Sequence, residues 1–199
     1  MTNISELITC RGEGGQGDLH PIPDAAMAWK GGAIEWVGPR EHLPAAFSTE
    51  EVIDAGRALL VPGLVDCHTH LAFGGWREDE FEMRSLGRTY QDIARSGGGI
   101  MNTVRRTREA TEDELFERSL GFLHEMLRLG VTTVECKSGY GLTAEDELKL
   151  LRVYRRLQAW TRMEIVPTLL AAHTVPPESS HGEYVDLVAA GIIDPAKVT

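Results

Sequence analysis

Pro62-Gly63-Leu64-Val65-Asp66-Cys67-His68-Thr69-His70 is the stretch whose reading decides the fold. Pro62-Gly63 break the chain, and Leu64-Val65 open a short apolar strand. Residues two apart on a strand point to the same side. His68 and His70 therefore aim two imidazoles at one point, as a metal's first two protein ligands must. Phe73-Gly74-Gly75 follow as an exit loop. Two histidines at a strand end that opens into a glycine-rich loop predict a metal centre at the C-terminal mouth of a parallel barrel. Cys67 lies between them on the opposite face and is expected to pack rather than ligate.

From Pro62 onward the pattern alternates strand and helix. Thr111-Glu112-Asp113-Glu114 is a capping box. The helix it opens carries Leu115, Phe116, Leu120, Leu123, Met126 and Leu127 and stops at Gly130. Val131 to Cys136 is a β-branched strand. Thr143 caps a second helix bearing Leu148, Leu151, Val153, Tyr154 and Leu157. Glu164 to Ala172 reads as a further strand ending at His173, and a helix is expected near Glu183 to Ala190. Such alternation predicts a parallel α/β barrel. The residues after Val61 are too few for a complete barrel of roughly 250 residues. Three strands are readable, with a fourth expected at the C-terminal end.

Residues 1–61 read as a separate strand-rich unit. Ala26 to Trp29 and Ala33 to Gly38 flank Lys30-Gly31-Gly32, a hairpin signal. Glu51 to Ala55 and Ala58 to Val61 suggest further short strands, and Gly12 to Pro23 reads as loop.

Composition narrows the function. The 199 residues hold 20 basic and 30 acidic side chains, a net charge of −10. That argues against nucleic acid or an anionic membrane as partner, but not against a small anion met by a local arginine. No run is long and apolar enough to span a bilayer, and the polar N-terminus is not a signal peptide. Cys10, Cys67 and Cys136 form neither a zinc knuckle nor an even disulfide set, so a reduced, cytoplasmic protein is expected.

Three strand ends gather polar groups: His68 and His70 with Arg77 beyond them, Lys137 to Gly141, and His173. On a barrel all three lie on one face. Arg77 suits a carboxylate, or else belongs to the solvated run Arg77-Glu78-Asp79-Glu80. Tyr140, between two glycines, can reach the same ligand or pack the loop. His173 can hydrogen-bond a polar ring or be a satisfied core histidine. Lys137 reads better as an ion-pair partner than as a carboxylated metal bridge. Ser96-Gly97-Gly98-Gly99-Ile100 reads as a mobile substrate loop, since it lacks a phosphate-loop signature.

Pro62 to His70 resembles the opening signature of the amidohydrolase superfamily. Leu71 to Arg77, Asp79 to Glu82, Ser96 to Ile100, Thr132 to Leu142 and Ala171 to Pro177 together resemble the imidazolonepropionase family. The resemblance implies a (β/α)8 TIM-type barrel truncated to its first strands, residues 62–199, preceded by part of a small β-sandwich domain, residues 1–61. It implies metal-dependent hydrolysis of 4-imidazolone-5-propanoate to N-formimidoyl-L-glutamate. His68 and His70 fall on the family's positions for one zinc or iron ion, and Arg77, Tyr140 and His173 on its substrate contacts. The remaining metal ligands and the acid–base carboxylate are expected beyond Thr199, so no catalytic residue is assigned within the chain. The family precedent is a homodimer, which no residue here argues. The alternatives are another amidohydrolase, such as a deaminase or cyclic-amide hydrolase, or an inactive fragment lacking the C-terminal ligands.

Overall fold

A computed structural model describes residues 1–15, 17–47 and 51–196. The chain divides into two compact units, Met1–Gly63 and Leu64–Thr199.

The first unit is one four-stranded sheet. Its strands are β1 (Ile4–Ile8), β2 (Pro21–Lys30), β3 (Ala33–Pro39) and β4 (Leu59–Leu60), in the order β3-β2-β1-β4. Strands β2 and β3 form the antiparallel hairpin predicted from Gly31-Gly32, while β4 runs parallel to β1. Ile4, Leu7 and Ala25 make its small core. Three expectations need correction. The stretch read as loop through Pro23 joins β2 from Pro21 onward. Both prolines are tolerated because the last β3 pairing is Ala25 with Pro39, so β2 is an edge beyond that point. Glu51 to Ala55 forms no strand; Asp54 makes one isolated bridge to Thr2. The expected strand Ala58 to Val61 shortens to Leu59–Leu60. A single sheet is seen among the described residues, not the two layers of a sandwich.

The second unit is a parallel three-stranded sheet: β5 (Leu64–Thr69), β6 (Val131–Lys137) and β7 (Glu164–Thr168), in the order β5-β6-β7. Helices α1 (Glu78–Ser85), α2 (Tyr90–Arg95), α3 (Ile100–Glu109) and α4 (Glu112–Arg128) lie between β5 and β6 in sequence. Helix α5 (Ala144–Gln158) crosses from β6 to β7. After β7 come a 3-10 turn at Ala171–His173, helix α6 (His181–Asp186), a π-helical stretch Leu187–Ile192 and helix α7 (Ile193–Ala196). The chain is therefore helical where the fourth strand was expected, and residues 197–199 lie outside the described residues.

The core of this unit lies between the sheet and helices α4 and α5. Leu115, Phe116 and Leu123 from α4 and Leu150, Val153, Tyr154 and Leu157 from α5 close over Val134, Cys136 and Ile165. Both helices start where the sequence predicts. Thr111 and Glu114 complete the capping box, and Thr143 accepts a hydrogen bond from the Asp146 N–H. Burial pushes the Cys136 thiol up to about 12, so it packs as an inert apolar group. Cys67, expected to pack, is exposed, because β5 is an edge strand. No helix among the described residues is long and apolar enough to cross a membrane.

Candidate active site

The polar groups at the three strand ends are held by interactions that run between the ends. Thr69, the last residue of β5, donates to the Glu135 carbonyl on β6 at 2.7 Å. The buried Tyr154 hydroxyl donates to the Lys137 carbonyl at 2.7 Å and accepts from the Ala72 N–H at 3.3 Å. It thus ties the loop after β5 to the tip of β6. The Ser138 N–H continues the β6–β7 ladder onto Thr168. The Ser138 hydroxyl then accepts from the Leu170 N–H at 2.9 Å.

That side-chain acceptor explains a further correction. The apolar run was read as strand through Ala172, yet β7 stops at Thr168. Once a side chain takes the Leu170 N–H, the backbone leaves the ladder and folds into the 3-10 turn Ala171–His173. Buried Tyr184 donates to the Ala171 carbonyl at 2.6 Å and fixes that turn. His173 is therefore presented by a turn rather than by a strand end.

Three of the five candidate side chains meet as a stack. The His70 and His173 rings are 4.8 Å apart and nearly parallel, at 14°. Tyr140 lies 4.5 Å from His70 and 5.5 Å from His173. Arg77 joins them along an open cleft of about 220 Å³ lined by His70, Phe73, Trp76, Thr103 and Tyr140. Its guanidinium is half-exposed and only 3.9 Å from the Glu80 carboxylate, a loose pair that leaves it available to an anion. His68 is at the edge: its ring is 6.4 Å from His70 at 69° and it is exposed.

Burial, reinforced by neighbouring His173, holds His70 down at about 4, so its ring is neutral near neutral pH. It hydrogen-bonds with the Ser138 backbone. Its Nδ1 is buried with no partner among the described residues. A buried imidazole nitrogen left without a partner, on a neutral ring two residues from a second histidine, fits the nitrogen preference of zinc or iron. No group of three His, Cys, Asp or Glu side chains able to share an ion gathers among the described residues. Burial raises the Tyr140 phenol above its ordinary value, so it remains a hydrogen-bond donor.

The other candidates resolve as follows. Lys137 pairs with Glu135, the ion-pair reading. Burial pushes the Glu135 carboxyl up, but hydrogen bonds from Lys137 and Thr168 and the Lys137 charge outweigh it and keep the group ionised. The Ser96 to Ile100 turn, read as mobile, is tied down: the Gly99 N–H donates to the buried Glu80 at 2.7 Å, and the Gly98 N–H to the Ile93 carbonyl. Sequence reasoning missed Phe73 and Trp76 as cleft walls. It also missed Glu147, whose carboxylate is fully buried under the loop bearing Tyr140.

A parallel sheet with a crossover helix is a fold that this chain shares with a solved structure. The backbone is similar to a variant of atrazine chlorohydrolase from Arthrobacter aurescens TC1 complexed with zinc and atraton, with a TM-score of 0.51. At 19% identity over 84% of this chain and 34% of that one, the likeness is of fold alone. The particular relatives are imidazolonepropionases. That of Yersinia pseudotuberculosis is 47% identical over 95% of this chain and 46% of its own length. That of Yersinia pestis is 46% identical over the same shares. The chain thus spans about half the length of the curated relatives it matches, and the resemblance is to their N-terminal half. No protein-family model matches the chain.

Proposed function

We propose that this chain supplies the N-terminal half of a metal-dependent hydrolase site that opens a ring carbon–nitrogen bond of 4-imidazolone-5-propanoate. The product is N-formimidoyl-L-glutamate, and water is the second reactant. In this reading residues 62–199 are the first strands of a (β/α)8 barrel and residues 1–61 part of a small β-sandwich. A cytoplasmic setting and a homodimer belong to the same reading. The observation that carries it is that His70, Tyr140 and Arg77 line one cleft, with His173 stacked on the His70 ring.

His68 and His70 hold the zinc or iron ion, with further ligands from outside the described residues. When bound, the ion supplies Lewis acidity and an activated water. This chain's own side chains bind and orient the substrate. Arg77 pairs with the propanoate carboxylate, a match of planar fork to planar anion. Tyr140, protonated through burial, donates to a polar atom of the ring. His173 lies against both rings and contacts the same end of the substrate. Phe73 and Trp76, edge-to-face at 5.3 Å, wall the cleft against water. The carboxylate that moves the proton is assigned to no residue of this chain.

The test is to co-express this chain with the C-terminal half of an imidazolonepropionase relative, load the complex with zinc, and assay loss of the imidazolone chromophore. Turnover that falls at least about tenfold in Arg77→Ala, for the anionic substrate but not for an uncharged imidazolone, is expected. A metal-loaded complex that turns over only uncharged cyclic amides overturns this reading in favour of another amidohydrolase activity.

A further inference from the structure

We propose that Glu147 is a positioning residue for this cleft, holding Tyr140 and His173 through the backbone of residues 139–142. The proposal rests on the functional reading above and deepens it. Glu147 stands in the first turn of α5 with no exposed surface. A carboxylate without solvent is tolerated only when its oxygens are fully hydrogen-bonded. Here one oxygen accepts from the Gly139 N–H at 2.9 Å, and the other from the Gly141 and Leu142 N–H groups, both at 2.8 Å. All three donors belong to the loop that carries Tyr140.

The loop is fitted to this anchor. A Cβ on Gly139, at φ +102°, would lie 2.9 Å from the Leu170 carbonyl oxygen and 3.0 Å from His173. A Cβ on Gly141 would lie 2.5 Å from the Glu147 backbone nitrogen. Leu142 takes a left-handed φ of 56°, which a buried leucine keeps only when its surroundings determine it.

The same glycine reaches the stack. The Gly139 N–H faces Glu147, and the Gly139 carbonyl lies 3.1 Å from His173 Nδ1. A carbonyl only accepts, so Nδ1 carries the proton, and a neutral His173 keeps its lone pair on Nε2. The carboxylate fixes the backbone on both sides of Tyr140, and so holds the Gly139 carbonyl in place against Nδ1. Glu147 therefore sets the orientation of Tyr140 and the tautomer of His173 without touching either ring.

Glu147→Gln tests this in the full chain without metal. A carboxamide has one accepting oxygen, so either Gly139 or the Gly141–Leu142 pair must face an NH2 group. The readout is the imidazole nitrogen–proton correlation spectrum at neutral pH. Unmodified chain is expected to show His173 as the Nδ1–H tautomer. Glu147→Gln is expected to shift His173 toward a mixture of tautomers while His20, His42, His124 and His181 stay in place. Asp146→Asn weakens the same helix start at Thr143 and is expected to leave His173 unchanged. The proposal is overturned by an Nε2–H His173 in the unmodified chain, by an unmoved His173 in Glu147→Gln, or by an equal shift in Asp146→Asn or at those other four histidines. Should Glu147→Gln not fold, slow hydrogen exchange of the Gly139, Gly141 and Leu142 amides in the unmodified chain supports the anchor, and fast exchange overturns it. Neither activity nor metal enters the readout, so failure here is separable from failure of the hydrolase reading.

Discussion

Strand β6 and the loop after it are held from both flanks, by β5 and β7 in the sheet and by Glu147 beneath, whereas β5 and the residues after it are open on one side. Val134 and Cys136 on β6 have no exposed surface, while Val65 on β5 is 63% exposed. Strands of parallel sheets are normally buried on both faces; β5 departs from this furthest, and β7, the other edge, keeps Ile165 buried. The difference maps onto the site. Tyr140 sits between glycines held by buried hydrogen bonds and His173 against the Gly139 carbonyl, while His68 and Arg77, from the β5 side, rest on solvent and one loose ion pair. In the proposed function, orientation of the ligand belongs to one flank, and the cationic and metal-binding side chains to the other.

If the β6 side is the rigid one, disturbing it should cost the most. Gly141→Ala places a methyl against the Asp146 and Glu147 backbone, where neither can retreat without opening the start of α5. A loss of about 1–3 kcal/mol is expected, as for overpacking a filled core. Urea denaturation checks it: a midpoint unchanged from the unmodified chain would mean that the loop yields freely and that the contrast between the two flanks is not real.

How much of this was legible follows the same division. The parallel strands and the caps at Thr111 and Thr143 are local patterns, and the structure has each of them. What escaped depends on contacts distant in sequence. The end of β7 was misplaced because Leu169 to Ala172 remains apolar past Pro167, while the acceptor that turns the chain is Ser138, 32 residues earlier. Helix α1 was hidden in a charged run that reads as solvated surface; its acidic first turn, Glu78 to Glu80, was the available signal. Glu147 looks like any acid in the first turn of a helix. A helix start only three residues after Gly139-Tyr140-Gly141 was the one hint that its carboxylate curls back. The cleft walls Phe73 and Trp76 come together through Phe122 on α4, which no spacing rule foretells.

The β5 flank should respond in the opposite way. His68 is exposed and meets His70 only edge-on. His68→Ala is expected to change stability by no more than about 0.5 kcal/mol, as for surface positions generally. Zinc retained after dialysis should fall sharply in the same variant. A clear stability loss with unchanged zinc content would make His68 a structural residue and dissolve the contrast. Calorimetry and metal analysis of one preparation read both quantities together.

The smallest effect separates anchoring in water from anchoring in the core. Glu114 closes the box at the start of α4 through an N–H and a hydroxyl of Thr111, but it is fully exposed. The hydrogen bond from the Thr111 backbone holds its carboxyl below the ordinary value of 4.5. A group depressed on folding contributes stability above its unfolded value and loses that contribution as pH falls through the folded one. The α4 cap should therefore be intact at neutral pH and weaken only below about 4.5. Glu114→Gln is expected to remove this acid sensitivity and little else, because solvent screens the charge. Thermal unfolding followed between pH 6 and pH 3 measures it in both chains. A difference between them that is constant across that range would show that the cap acts through shape alone.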